Sequence, residues 1–240
     1  FFFNFFNKEK SEQIKTICIG NIYLGGTGKT PTSLKLYQLL KFEKFNTVIG
    51  KKYYTDQKDE RILLKNKSTL ISSKSRKEII RLAIEKNYHL IIFDDGLQEK
   101  RIDYDIKIVC FDSKIWLGNG CLIPAGPLRE SINSLKKYDG VFLKITDENS
   151  NLTEIISEIR KVNSKIEIFK SKVRIKNINQ LNILNKYFIF SGIGNSASFK
   201  EILINNKFNI VEEKIFSDHY NYKDDDIFKI LNFAKKKNLK

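Results

Sequence analysis

A glycine-rich stretch, GNIYLGGTGKTPT at residues 20–32, has the residues of a phosphate-binding loop. The pattern G-x-x-x-x-G-K-[ST] ends here in Gly28, Lys29 and Thr30, but its first position holds Tyr23 in place of glycine. Gly25 and Gly26 supply backbone freedom elsewhere in the loop. An apolar run precedes the stretch and a helical pattern follows it, so backbone N–H groups at the helix start would face a phosphate.

The predicted nucleotide site consists of loop residues whose amides or side chains face the phosphates. These are Gly25, Gly26, Thr27, Gly28, Lys29 and Thr30. Lys29 would reach the terminal phosphates and the Thr30 hydroxyl would bind Mg²⁺. An ordinary glycine-rich turn between a strand and a helix is the alternative.

Two adjacent carboxylates end a second apolar run, HLIIFDDG, at Asp94 and Asp95. At the carboxyl end of a neighbouring strand they would face the loop and bind Mg²⁺ directly or through water. A plain Asp-Asp-Gly turn is the other interpretation.

A third stretch, GNGCLIPAGPLRE at residues 118–130, contains two of the chain's three prolines. These prolines stiffen a segment near the strand ends, where an α/β sheet binds ligands. Arg129 suits a phosphate, and Glu130 suits a metal or a hydroxyl. A purely structural loop is the alternative.

Short apolar runs alternate with amphipathic stretches along the chain, which predicts a mostly parallel α/β sheet with helices on both faces. Predicted strands cover residues 15–21, 46–50, 88–95, 105–112 and 139–145, and predicted helices cover residues 28–42, 75–86 and 151–161. Residues 164–175 alternate with period two, which indicates a half-exposed ribbon. The strand, glycine and helix pattern restarts at residue 186.

We therefore expect three parts. Residues 1–163 form the nucleotide-binding domain with a membrane-proximal N-terminal segment, residues 164–178 a linker ribbon, and residues 179–240 a smaller, truncated C-terminal α/β domain.

The composition limits the partners. The net charge is +15, yet only seven of the 43 basic residues are Arg, and the Lys residues are spread among Asn and Ile. This pattern argues against nucleic-acid binding, because no basic tract rich in Arg is present. A compositional bias and a surface that faces anionic lipid remain as explanations. Cys18, Cys110 and Cys121 lie in or near apolar runs without C-x-x-C spacing, and we interpret them as reduced core thiols.

The chain begins with FFFNFFNKEK, five Phe in six residues followed by charge. The segment is too short to span a bilayer. It is either a core segment or part of an apolar stretch that lies in the membrane interface beside Lys8 and Lys10.

Five motifs in one order resemble the tetraacyldisaccharide 4'-kinase family: GNIYLGGTGKTP, DDGLQ, GNGCLIPAGPLRE, SGIGN and SDHYNY. The resemblance implies a P-loop NTPase-like fold and an enzyme that uses ATP and Mg²⁺ to phosphorylate the 4'-hydroxyl of an acylated disaccharide 1-phosphate lipid, in lipid A biosynthesis. In this family the first loop glycine is also replaced.

The resemblance also assigns residues. The metal would be held by Thr30, Asp94, Asp95 and Glu130, and the substrate by Arg129 and Gln98. The family's Gly-Asp-Glu-Pro segment best matches KDERILL, which makes Asp59 the catalytic candidate, with Arg61 in place of Pro. Its Asp-His-His element matches SDHY and indicates His219 as the partner of that aspartate. Glu99 stands in place of a family His.

Further expectations follow from the resemblance. The enzyme would act at the cytoplasmic face of the bacterial inner membrane, as a peripheral or monotopic protein. A longer apolar helix would precede residue 1 and a Thr-Glu-Lys-Asp segment would follow residue 240, so the sequence would be an interior fragment. The alternative function is a nucleotide-dependent switch or assembly ATPase without a small-molecule acceptor. The Asn-Lys-x-Asp motif of guanine-nucleotide switches is absent from the sequence.

Overall fold

The computed structural model describes residues 11–55, 57–145, 151–218 and 220–240. The chain divides into two compact units, Phe1–Ser171 and Lys172–Lys240. The first unit extends to Ser171, beyond the predicted domain end at residue 163, so it includes part of the segment that we expected to be a linker.

The first unit is built of strands that alternate with helices. In chain order its elements are β1 (Lys15–Gly20), α1 (Lys29–Phe42), β2 (Thr47–Lys52), α2 (Lys58–Lys67), β3 (Leu70–Ser73), α3 (Arg76–Glu85), β4 (Leu90–Asp94), β5 (Ile106–Asp112), a 3₁₀ helix (Ile132–Lys137), β6 (Gly140–Ile145), α4 (Leu152–Val162) and β7 (Glu167–Lys172).

Within the described residues, seven strands form one sheet in the order β3-β2-β4-β1-β5-β6-β7. The strands from β3 to β6 pair in parallel, and Ile19 of β1 lies opposite Asp94 of β4. Because the strands are parallel, the carboxyl ends of β1, β2, β4, β5 and β6 lie at one edge of the sheet. The loops that carry the predicted site begin at this edge.

The side chains of β1 alternate between two cores, which explains why both faces of the sheet carry helices. Cys18 packs in a cluster with Ile79 and Ala83 of α3. Ile17 and Ile19 pack in another cluster with residues of α1 and α2. A third cluster joins β5 and β6 to α4 and the 3₁₀ helix. The predicted parallel sheet with helices on both faces is therefore confirmed.

The second unit contains β8 (Lys186–Ser191), α5 (Ser196–Asn205), β9 (Asn209–Ile215) and α6 (Asp224–Lys236), after a short 3₁₀ helix (Ile178–Gln180). Strands β8 and β9 pair in parallel. This is the smaller α/β unit that the sequence predicted.

Helix α2, strand β3 and the two 3₁₀ helices were not predicted from the sequence. All three cysteines were predicted to lie in the core, but Cys121 is exposed while Cys18 and Cys110 are buried. Within the described ranges, no helix combines the length and the apolar character needed to cross a bilayer.

Candidate active site

The predicted phosphate loop connects β1 to α1. Its positive φ angles fall at Gly25 (127°) and Gly28 (87°), a region that favours glycine. The buried side chain of Asn21 holds the loop from inside, because Nδ2 donates to the Gly25 carbonyl at 3.1 Å and to Thr27 Oγ1 at 3.0 Å. Lys29 is the first residue of α1, so the loop leads directly into a helix N-terminus.

The structure gives a reason for Tyr23 at the first motif position. Tyr23 forms an antiparallel bridge with Leu128. Leu24 N donates to Pro127 O and Arg129 N donates to Ile22 O, both at 2.7 Å. The start of the loop is thus an extended segment, which does not need glycine. The same pairing fixes Arg129 and Glu130 beside the nucleotide loop.

Asp94, at the end of β4, has protein donors on both carboxylate oxygens. Ser33 donates to Oδ1 at 2.9 Å and Thr30 donates to Oδ2 at 3.0 Å. Lys51 Nζ lies 2.8 Å from Oδ2, and the Asp94 side chain is completely buried. The Asp94 carboxylate therefore orients the Thr30 hydroxyl by accepting its hydrogen bond. The Thr30 oxygen keeps its lone pairs for a metal.

Lys51, the penultimate residue of β2, links this carboxylate to α2. Its Nζ also forms a salt bridge with Glu60, in the first turn of α2. Burial acts to lower the pKa of Lys51, but the charges of Asp94 and Glu60 outweigh it and raise the pKa above its usual range. The buried lysine is therefore a cation. Asp59 precedes Glu60 in the same turn and is exposed.

Asp95 follows the strand with a positive φ of 63°. Arg129 NH1 lies 3.4 Å from Asp95 Oδ1. Arg76, at the start of α3, donates to the Asp95 carbonyl and lies 3.5 Å from Glu99 Oε2. Two guanidinium groups therefore flank the turn that follows β4.

Glu130 is held from two sides at one oxygen. Gln98 Nε2 donates to Glu130 Oε1 at 2.9 Å and also to the Asn21 carbonyl at 2.9 Å. Tyr138 OH donates to the same Oε1 at 3.0 Å. Burial, reinforced by the charge of Glu130, raises the pKa of Tyr138, so the phenol keeps its proton.

A cavity of about 560 Å³ lies beside these groups within the first unit. Three cationic side chains line it, from Lys52, Arg76 and Arg129, and so do three apolar ones, from Leu122, Ile123 and Leu128. Gln98 and two carboxylates, from Asp95 and Glu99, also line it. Arg129 pairs with Asp95 and Arg76 pairs with Glu99, so Lys52 supplies the excess positive charge among these lining side chains. The cavity thus combines a small excess of positive charge with apolar surface.

The structure gathers most of the predicted site residues at one sheet edge. Direct contacts join Thr30 to Asp94, Asp95 to Arg129, and Glu130 to Gln98. In the part of the chain that the structure describes, no group of three or more His, Cys, Asp or Glu side chains is arranged to hold a metal. His219 lies outside the described residues.

Several site residues were not predicted: Lys51, Glu60, Arg76 and Tyr138. Lys51 carried a usable signal, since a charged residue directly after the buried run TVIG marks the end of a strand at the ligand-binding edge. The sequence around Arg76 and Tyr138 contained no such signal, because the roles of these residues depend on contacts between segments that are distant in the sequence.

Comparison with known proteins identifies the family. A sequence profile of LpxK, the tetraacyldisaccharide-1-P 4'-kinase family, matches residues 2–240. The tetraacyldisaccharide 4'-kinase of Pelagibacter ubique is 42% identical over 231 residues, which cover 96% of this chain and 73% of that protein. The enzyme of the same name from Rickettsia akari is 36% identical over 241 residues, which cover 93% of this chain and 72% of that protein.

The fold has a solved counterpart. The apo form of LpxK from Aquifex aeolicus, crystallised in complex with ATP, superposes with a TM-score of 0.66 at 23% identity and covers 92% of this chain and 76% of that one. This similarity supports the fold, and the profile and the two relatives establish the family. The chain belongs to the tetraacyldisaccharide 4'-kinase family.

Proposed function

We propose that the protein transfers the γ-phosphoryl group of ATP to the 4'-hydroxyl of a tetraacylated disaccharide 1-phosphate, as a step of lipid A biosynthesis. One observation carries this proposal beyond family membership. The pairing of residues 22–24 with residues 127–129 joins the glycine-rich loop to a segment that lines a cavity with Lys52, two arginines and apolar side chains. A phosphate donor and a phosphorylated amphiphile thus have adjacent sites.

The loop and the start of α1 would bind ATP. Backbone N–H groups at residues 25, 26 and 28–30 would face the phosphates, whereas the Thr27 N–H donates to the Gly25 carbonyl at 3.1 Å. The helix N-terminus favours the negative charge of the phosphates. Lys29 acts as a point charge on the β- and γ-phosphates. Because chemistry at phosphorus requires little covalent help, most of the acceleration comes from positioning and charge neutralisation.

The residues present fit a Mg²⁺ ion at the edge of the loop. Thr30 offers its hydroxyl oxygen while donating to Asp94, and Asp95 and Glu130 each keep an oxygen to which no described residue donates within 3.5 Å. Asp94 acts through Thr30 or through water, since its own oxygens already accept from protein groups. Bound Mg²⁺ would neutralise charge on the transferring phosphoryl group.

The cavity suits the acceptor. Lys52 complements an anionic sugar 1-phosphate, and the guanidinium groups of Arg76 and Arg129, which also contact Glu99 and Asp95, offer further donors to phosphate oxygens. Leu122 and Ile123, each about half exposed, extend the cavity with apolar surface for acyl chains. Gln98 would accept a hydrogen bond from a sugar hydroxyl at Oε1, because its Nε2 already donates to Glu130 and to the Asn21 carbonyl.

A base eases proton removal from the sugar hydroxyl. By resemblance this base is Asp59, oriented by His219. In the structure Asp59 lies in the first turn of α2, next to Glu60, whose ion pair with Lys51 connects this turn to Asp94.

A lipid acceptor requires the enzyme to reach the bilayer. We propose that the protein works at the cytoplasmic face of the bacterial inner membrane, as a peripheral or monotopic protein. The net charge of +15 favours an anionic lipid surface, and the Phe-rich residues 1–6, outside the described part of the chain, would enter the interface.

The decisive experiment measures ADP release and the fate of the γ-phosphate together. With γ-labelled ATP and mixed micelles of detergent and tetraacyldisaccharide 1-phosphate, we expect ADP release that depends on the lipid, with the label recovered on the lipid. Lys29→Ala is the matched negative control. If ADP release does not depend on the lipid, and all of the label is recovered as inorganic phosphate, the result would support an ATPase switch instead.

A further inference from the structure

Glu130 has a second partner that no sequence motif indicated. Tyr138 lies just after the 3₁₀ helix, at the entrance to β6, and only 5% of it is exposed. Its ring packs in the cluster formed by β5, β6 and α4, and its hydroxyl reaches Glu130 Oε1 at 3.0 Å. The buried Tyr138 ring thus presents its hydroxyl to the edge of the sheet that carries the candidate active site.

The backbone around Tyr138 is also fixed. Asn163 Nδ2 donates to the carbonyls of Leu135 and Tyr138, at 3.0 and 3.4 Å. Tyr138 N donates to the Leu135 carbonyl at 3.2 Å. The phenol is therefore presented by a segment that is tied to the core, and its position does not depend on an exposed loop.

Gln98 and Tyr138 approach the same carboxylate oxygen. With two donors on Oε1, the Glu130 carboxylate has a fixed rotation and its Oε2 is directed away from the donors. Lys137 Nζ lies 3.8 Å from Oε2, but that lysine is 72% exposed and interacts weakly. Gln98 also holds the Asn21 carbonyl, so the clamp is connected to the nucleotide loop.

We propose that Tyr138 is a positioning residue that, with Gln98, clamps Glu130 Oε1 so that Oε2 faces the metal and phosphates of the nucleotide. This inference rests on the proposed metal role of Glu130. Partners that orient a metal-binding side chain typically change metal affinity by roughly 10-fold to 100-fold when they are removed.

Tyr138→Phe tests the proposal because it removes the hydroxyl and keeps the ring. Calorimetry would measure ADP binding with Mg²⁺ and, separately, in EDTA. We expect about 10-fold weaker binding with Mg²⁺ and unchanged binding in EDTA, since the loop and Lys29 are intact. Tyr37→Phe is the matched control: Tyr37 of α1 is similarly buried, and its hydroxyl contacts Thr69, which lies between α2 and β3.

A purely structural role gives a different pattern. Both Tyr→Phe variants would then lower the melting temperature by similar amounts, and neither would change the Mg²⁺ dependence of ADP binding. That result would overturn the proposal.

Glu130→Gln separates failure of the clamp from failure of the metal assignment. If Glu130→Gln leaves Mg²⁺-dependent binding unchanged, the metal role of Glu130 is wrong and the clamp fails with it. If Glu130→Gln weakens binding and Tyr138→Phe does not, only the clamp is wrong. If both weaken it, the double variant should bind no worse than Glu130→Gln alone, because Tyr138 acts through Glu130.

Discussion

Lys51 Nζ lies 2.8 Å from Asp94 Oδ2, and neither side chain is more than 3% exposed. A buried carboxylate at the end of β4 is thus neutralised by a lysine from the neighbouring strand β2. Removing one partner of a buried pair leaves the other charge without compensation, which is strongly destabilising. The pair also supports the hydroxyls of Thr30 and Ser33.

The first prediction follows from this burial. Lys51→Met should lower the free energy of unfolding by roughly 3–5 kcal/mol, because Asp94 keeps its buried charge or must take up a proton. The pair of Lys15 and Asp105, 3.5 Å apart, provides the control, because Lys15 is 68% exposed and Asp105 also accepts hydrogen bonds from Thr16. Lys15→Met should cost about 0–1 kcal/mol. Urea unfolding of both variants makes the comparison, and equal losses would contradict it.

The sequence predicted the part of the fold that local patterns determine. The run before Gly20 and the helical spacing after Gly28 indicated β1 and α1 correctly. Helix α2 lacked such a pattern: its apolar residues Ile62, Leu63 and Leu64 are consecutive, and only Leu64 is fully buried. Contacts with Lys51 and the sheet anchor α2. These contacts join residues that are far apart in the sequence, so the hydrophobic periodicity within α2 does not reveal them.

The candidate site was predictable to a similar extent. The motif placed Thr30 and Asp94 on the nucleotide side of the sheet, and the structure joins them directly. It could not indicate that Ser33 and Lys51 saturate Asp94, since those donors come from other elements. Cys121 was misplaced because nearby apolar residues do not fix burial: Leu122 and Ile123 are themselves exposed.

The second prediction concerns pH. Burial raises the pKa of the Cys110 thiol to about 12, well above the value of about 8.5 for an unfolded chain. Stability from this thiol is fully present below about pH 8.5 and is lost as pH rises towards the folded pKa, because only the unfolded chain releases the proton. One such thiol should lower the free energy of unfolding by about 1.5 kcal/mol between pH 8.5 and 10.

Urea unfolding under reducing conditions measures this slope. Cys110→Ala should be less stable at every pH but should show a smaller fall in stability on going to pH 10. Cys121→Ala is the control, since this thiol is exposed and should leave the slope unchanged. Identical slopes in all three proteins would contradict the prediction.

The third prediction concerns the nucleotide. Lys29→Ala removes the point charge from the β- and γ-phosphates, so kcat should fall at least roughly 100-fold while the fold persists. Lys35→Ala, an exposed lysine on the same helix, should keep near-normal turnover. Circular dichroism checks the fold and ADP release checks turnover. A Lys29→Ala enzyme within a few-fold of the parent would refute the phosphate assignment.

The fourth prediction concerns the membrane. Replacing the Phe residues of segment 1–6 by Ser should weaken binding to anionic vesicles and raise the apparent KM for the lipid more than it lowers kcat, because chemistry is unchanged once the lipid is bound. Phe42→Ser is the control, since Phe42 is 82% exposed at the end of α1. Vesicle binding that is unaffected, or affected equally by Phe42→Ser, would rule out a specific interfacial segment.

The fifth prediction concerns the proton of the sugar hydroxyl. Asp59→Ala should lower kcat by roughly 10²-fold to 10⁴-fold, the range typical of general-base loss. ATP affinity should change little, because neither Asp59 nor His219 is assigned to the nucleotide. If His219 orients Asp59, the two residues act as a unit. The kcat of the double variant should then be little lower than the kcat of the more impaired single variant. Steady-state kcat for the three variants, with nucleotide affinity measured separately, makes the test.

Two outcomes would identify which part of this assignment fails. If the fold-losses in kcat of the two single variants multiply in the double variant, Asp59 and His219 act independently, and the proposal that His219 orients Asp59 is wrong. If Asp59→Ala is nearly silent, the match of KDERILL to the family's Gly-Asp-Glu-Pro segment has selected the wrong acid. Glu60→Gln then becomes the informative variant, because Glu60 forms the ion pair with Lys51 that joins α2 to Asp94 and the nucleotide loop.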